Sequence, residues 1–121
     1  MLQGTLIAES IRVGAEVDGV RLVAQKIRRA VLGDASAGHP EVWTVLEFEA
    51  AEADAGALAD ALAQALERRG WYADFRSPAE TFVVYCGRVF RYPRGDSQGR
   101  AEAVAYGRSV GVPAGELDWP V

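Results

Sequence analysis

A chain of 121 residues, 50% hydrophobic and 25% charged, has the composition of one globular domain and is too short for two full cores. Thirteen Lys and Arg against seventeen Asp and Glu give a net charge of −4, opposite to the balance carried by a general nucleic-acid binder or a membrane-surface protein. Cys86 is the only cysteine, so no intrachain disulfide can form.

The first residues, Met1 to Thr5, lack a basic stretch followed by an apolar one, and no segment approaches the roughly 18 apolar residues of a membrane span. The expected location is therefore cytoplasmic. His39 and Cys86 stand far apart, and no paired-Cys, paired-His or Asp-rich loop spacing occurs. The expectation is no metal and no cofactor.

In chain order, residues 4–13 alternate imperfectly and predict a strand, with Gly14 and Asp18-Gly19 as turn signals. Residues 20–32 are ambiguous. Val20, Val23, Ile27 and Val31 fit a helical stripe, but Val23, Ile27 and Val31 also fit a strand with Arg21, Gln25 and Arg29 interleaved. The β-branched content and the preceding Asp-Gly favour a strand. Residues 33–41 read as a loop, and 42–49 as a strand. Residues 54–69 carry Leu58, Leu62 and Leu66 at four-residue spacing, with Ala55, Ala59 and Ala65 on the same side. That pattern predicts a helix capped by Asp54, favoured at its end by Arg68 and Arg69, and stopped by Gly70.

Residues 71–76 predict a strand with Trp71, Ala73 and Phe75 on one face and Tyr72, Asp74 and Arg76 on the other. Residues 81–86 are apolar on both faces and predict a central strand. A two-residue turn fits at Gly87-Arg88, before a returning strand at 89–92. Asp96 or Ser97 can cap a last helix over 98–110, with Ala103, Val104, Gly107 and Val110 facing inward. The order β-β-β-α-β-β-β-α excludes one-for-one alternation. It implies an α+β fold: a mostly antiparallel sheet with helix 54–69 packed on one face.

Residues 87–100 hold four arginines against Asp96, a local +3 that leaves −7 on the other 107 residues. Arg88, Arg91 and Arg94 interleave with Phe90 and Tyr92 just before a helix N-terminus, a combination suited to an anionic group. The competing reading is a set of solvated arginines paired with the acidic remainder. Asp74 and Arg76 form a second cluster. It is either a cross-strand pair or a carboxylate for acid/base work. A Cys86–His39 nucleophile pair is not required by any spacing. Arg94-Gly95-Asp96 matches an adhesion tripeptide, but three-residue matches arise by chance.

Seven aromatic residues fall between Trp71 and Tyr92. Not all can turn inward, so an exposed aromatic–arginine face is expected, with Trp119 capping it or a neighbouring subunit. The stretch Trp71 to Phe75, residues 81–92 and the ending YGRSVGVPAGELDWP (106–120) resemble a family of small bacterial proteins that end in a similar Y-G-x-S-x-G-[IV]-P…[LV]-D-[WF] pattern. The resemblance covers about the last 50 residues. It implies a self-contained domain with an ordered tail, in which Leu117 and Trp119 pack, and it implies no substrate.

The functional expectation is a non-enzymatic binding or interaction module. Its binding residues would be Arg88, Arg91, Tyr92, Arg94, Asp74 and Arg76, holding a small anion or an acidic protein surface. The aromatic face could also pair two copies. The alternatives are a small enzyme using Asp74 as acid/base with arginines clamping a phosphate or carboxylate, and an acidic immunity-like protein facing a basic toxin. Nucleic acid and membrane are the least favoured partners.

Overall fold

The computed structural model describes residues 1–32 and 38–121, so most of the loop expected at 33–41 lies outside the described residues. The chain runs β1 (Leu2–Ile7), β2 (Val23–Val31), β3 (Val42–Ala50), α1 (Ala55–Ala65), β4 (Ala73–Arg76), β5 (Glu80–Tyr85), β6 (Arg88–Pro93) and α2 (Ser97–Ser109). The strands form one six-stranded sheet of order β2-β3-β1-β4-β5-β6, antiparallel at every pairing. The fold is α+β, with the expected element order and α1 packed on one face.

Register assigns the faces. Leu6, Leu46 and Ile27 lie in one cross-strand row; Gly4 sits between Phe48 and Phe75, and Phe75 lies opposite Phe82. These residues share the face covered by α1, whose Leu58, Ala59, Leu62 and Ala65 are buried. Phe75 and Phe82 stack at 4.6 Å. Gly4 has no substitute there, because a Cβ would stand 2.6 Å from the Phe48 ring and from Phe75 Cβ.

The opposite face carries Thr5, Ile7, Val45, Asp74 and Val83 in register. Over β5 and β6 it is covered by α2 and by the tail that follows. Ala103 is fully buried there, and the Tyr85 hydroxyl donates to its carbonyl at 2.7 Å. Gly107 allows that approach, since a Cβ would meet the Tyr85 hydroxyl at 2.5 Å and Leu117 at 2.7 Å. Asp96 caps α2 as expected, accepting from the backbone N–H of Gln98 and Gly99. That use also accounts for the aspartate of the Arg-Gly-Asp string.

Several expected boundaries shift. The first strand ends at Ile7, and Ala8–Ser10 form a turn of 3-10 helix before Ile11 bridges to Leu66. That bridge also ends α1 early. Leu66 is extended, Glu67 donates to the Ser10 carbonyl at 2.9 Å, and Arg12 donates to the Ala65 carbonyl at 2.8 Å. Arg68, Arg69 and Gly70 therefore lie beyond the helix, and Asp54 makes no side-chain cap. Gly70 still adopts a positive φ of 87°, turning the chain so that its N–H reaches the Val110 carbonyl at 2.8 Å. After this turn Trp71 joins Trp43 and Val45, not Ala73 and Phe75. The hairpin turn is Cys86-Gly87, since Tyr85 pairs with Arg88.

Residues 23–31 are a strand at the sheet edge. A bulge between Ala24 and Lys26 puts Val23 on the opposite face from Ile27 and Val31. Among the described residues no helix is long and apolar enough to cross a membrane.

Candidate functional site

Among the described residues, α2 and the tail cover only β5, β6 and part of β4, leaving the face opposite α1 open above β1 and β3. The result is a cleft of about 410 Å³. Thr5, Ile7 and Val45 form its floor, and Arg28 and Leu32 stand on the β2 side. The other wall is Tyr72, Asp74 and the tail residues Glu116, Asp118 and Trp119. All three tryptophans of the chain, Trp43, Trp71 and Trp119, line this space.

The tryptophan wall is held from behind. Trp43 and Trp71 meet at 5.2 Å, and His39 stacks on Trp71 at 4.0 Å with only 7% of its surface exposed. His39 Nδ1 lies 3.2 Å from the Glu116 carboxylate, tying the loop before β3 to the tail. The Trp43 indole N–H donates to the Pro40 carbonyl at 2.8 Å. On the other side, the Trp119 indole donates to the buried Tyr92 hydroxyl at 2.7 Å. Arg100 donates to the Trp119 carbonyl at 2.8 Å while lying 4.9 Å over its ring. Tyr72 donates its hydroxyl to the Glu116 carbonyl and packs edge-on against Trp119 at 5.2 Å.

Asp74 is the chemically distinctive group. Its neighbours on the sheet are Thr5 and Val83, and among the described residues its carboxyl has no hydrogen-bond donor or ion-pair partner. Its side chain is partly exposed where it opens on the cleft and is covered by protein on the remaining sides. Burial raises its pKa to about 7, Asp118 adds to the rise, and Arg76 and Arg100 act against it. Glu9 is the opposite case. Burial also penalises its charge, but Thr44 donates both its backbone N–H at 2.6 Å and its hydroxyl at 2.8 Å, and the pKa falls below the ordinary value. Tyr72 is pushed well above the ordinary phenol range by burial, Asp74 and Asp118, so it stays a neutral donor.

The expected arginine site does not assemble. Arg88 and Arg91 lie three residues apart on β6, so they project to opposite faces. Arg88 lies 4.8 Å over Phe90 and 5.4 Å over Tyr106. Arg91 makes two 2.7 Å hydrogen bonds to the Glu80 carboxylate and lies 5.0 Å over Phe82. Arg94 is exposed in the turn before α2. Tyr92 faces inward and is committed to Trp119. A hollow of about 240 Å³ beside the hairpin is lined by Arg91 but also by Asp96 and Glu102. Arg76 is half-buried on the Asp74 face and is the one expected arginine that stays beside Asp74.

Cys86 packs against the α1-side core, while His39 sits behind the tryptophans of the opposite face, so they form no pair. No cluster of three metal-ligating side chains occurs among the described residues. The cleft residues that sequence reasoning missed are Arg28, Trp43, Glu116 and Asp118. A shared role for the three tryptophans was the available signal. No known family matches the chain, and neither does any curated protein or solved structure.

Proposed function

We propose that this protein is a small-molecule binding module whose ligand sits in the cleft opposite α1. One observation carries this reading: all three tryptophans converge on a single concave space that also holds Asp74, a carboxyl without a partner among the described residues. Sites of this kind bind through apolar walls and take their orientation from one or two polar groups. The arginine hairpin then serves as packing and solvated surface.

Tryptophan fluorescence and thermal shift, read across a panel of nucleotides, phosphate esters, carboxylates and amines, test it. A cleft ligand at a hundred times its Kd stabilises the protein by about 2.7 kcal/mol and perturbs the fluorescence. Thr5→Phe, which fills the floor, abolishes both signals. Hits that survive Thr5→Phe and vanish in the Arg88→Ala/Arg91→Ala double variant return the site to the hairpin.

A second reading is favoured by the Asp74 pKa near 7. A carboxyl that titrates near neutrality can give or take a proton from a bound substrate. Chemical conversion of a cleft ligand, lost in Asp74→Asn while binding persists, would establish an enzyme.

A further inference from the structure

We propose that the ligand of the cleft is an organic cation, an amine or alkylammonium group on an apolar or aromatic body, with its charge against Asp74 and Asp118 and its body among the tryptophans. The inference rests on the cleft being the binding site and adds the chemical class that fits it. Among the described residues, Asp74 and Asp118 line the space with Glu116, which faces His39, and the cation in the lining is Arg28. Arg28 stands on β2, while Asp74 is on β4, three strand positions away. Strand spacing alone puts their backbones about 14 Å apart, so Arg28 does not neutralise the Asp74 end. Arg100 is held by the Trp119 carbonyl and ring. Arg76 lies along β4 outside the cleft lining.

Two features make the match specific to cations. Indole and phenol rings attract a cation that sheds its water, most strongly Trp, and Trp43, Trp71, Trp119 and Tyr72 line the cleft, with His39 on one face of Trp71 and Arg100 over Trp119. Among the described residues Asp74 has no hydrogen-bond donor, so a cationic ligand group supplies the counter-charge of a largely buried carboxylate. An anionic ligand meets Asp74 and Asp118 in the same space. A neutral apolar one leaves the ionised carboxyl unpaired.

Binding of a permanent cation is then linked to the Asp74 proton. The titratable and charged groups facing Asp74 are Arg76 on its own strand, the neutral Tyr72 just before it, Arg100 on α2, and Glu116 and Asp118 in the tail. Glu47 and Lys26 lie further along the same cross-strand row. With a pKa of about 7, Asp74 is mostly protonated at pH 5.5 and mostly ionised at pH 8.5. A cation that needs the ionised form therefore binds roughly 30-fold tighter at the higher pH.

The test is tryptophan fluorescence titration of the whole protein with benzyltrimethylammonium, benzyl alcohol and benzoate at both pH values. The expected result is that benzyltrimethylammonium binds tightest at pH 8.5, weakens about 30-fold at pH 5.5, and loses both affinity and pH dependence in Asp74→Asn. Asp118→Asn weakens it and moves the pH dependence to lower pH without abolishing it, because Asp118 helps hold the Asp74 pKa up. Tighter binding of benzyl alcohol or benzoate at pH 8.5, blocked by Thr5→Phe, overturns the cation and leaves the cleft as a binding site. Absence of binding by all three overturns both.

Discussion

On the α1 face, Leu58, Leu62, Phe75 and Phe82 close over one another, with Arg91 at the rim over Phe82. Across the same strands, one residue along, Asp74 and Thr5 look into a cleft that α2 and the tail leave open. A strand sends alternate residues to opposite faces, so a single backbone supports both arrangements. The contrast separates stability from chemistry. The sealed face should respond to lost volume, and the open face to charge and protonation.

The sealed face gives the largest expected effect. Leu62 is about 1% exposed at the middle of α1, and Leu62→Ala should cost about 2–5 kcal/mol through lost burial and the cavity left behind. A urea melt measures it. A loss under 1 kcal/mol would mean that α1 is not the main seal of that face.

Asp74 comes next, and its effect depends on pH. Its folded pKa of about 7 lies above the ordinary 3.8, so the folded state holds the proton more tightly than the unfolded one. The sign follows: stability is fully present below about pH 4 and is lost as pH rises through 7. Asp74→Asn keeps the shape of the protonated acid and removes this loss. The variant should match the parent at pH 4 and exceed it at pH 8 by on the order of 3 kcal/mol. Denaturant melts at the two pH values check it. Equal stability at both would place Asp74 in contact with bulk water and remove its distinction from an ordinary surface aspartate.

The difference between the faces also explains what could be read from residues alone. The α1 stripe was legible because four-residue spacing of leucines has one economical interpretation, and β5 was legible because both its faces are apolar. Residues 20–32 were ambiguous for a physical reason. As the edge strand β2 they leave Ile27 66% and Val31 70% exposed, so no buried face imposes a clean period. The α1 end was misplaced because a tertiary bridge, Ile11 to Leu66, overrides the local signal of Arg68, Arg69 and Gly70. Asp74 was singled out, but Trp43, Asp118 and Glu116 were not. They lie about 30 to 45 residues from Asp74 in sequence, and only sheet order and tail docking bring them to one cleft. The hairpin arginines misled because charge clustering in sequence ignores strand alternation.

Within the open face, the most deeply buried polar contact of the tail is the Trp119 indole on the Tyr92 hydroxyl at 2.7 Å, beside the ties of Glu116 to His39 and Tyr72 and of the Trp119 carbonyl to Arg100. Trp119→Phe keeps most of the ring, loses the donor and leaves Tyr92 short of a partner. The expected cost is about 1–2 kcal/mol. If Tyr92→Phe is added to it, the double variant should regain part of that, because both polar atoms are then gone. A double-mutant cycle in urea reads the coupling. Additive losses would show that the tail is held by Arg100 and Leu117 instead.

The smallest effect is expected where the sequence drew most attention. Arg91 is exposed, and its tie is to Glu80, with which it holds the acid's pKa down and its own up. Water and salt screen a pair of that kind, and exposed pairs contribute little to folding. Arg91→Ala should therefore leave the urea midpoint unchanged and, since Arg91 points away from the cleft face, leave the affinity of any cleft ligand unchanged as well. A large loss of affinity in this variant, with Thr5→Phe silent, would reverse the roles of the two regions. The hairpin would then be the working surface, and the tryptophan cleft would be a gap in the packing.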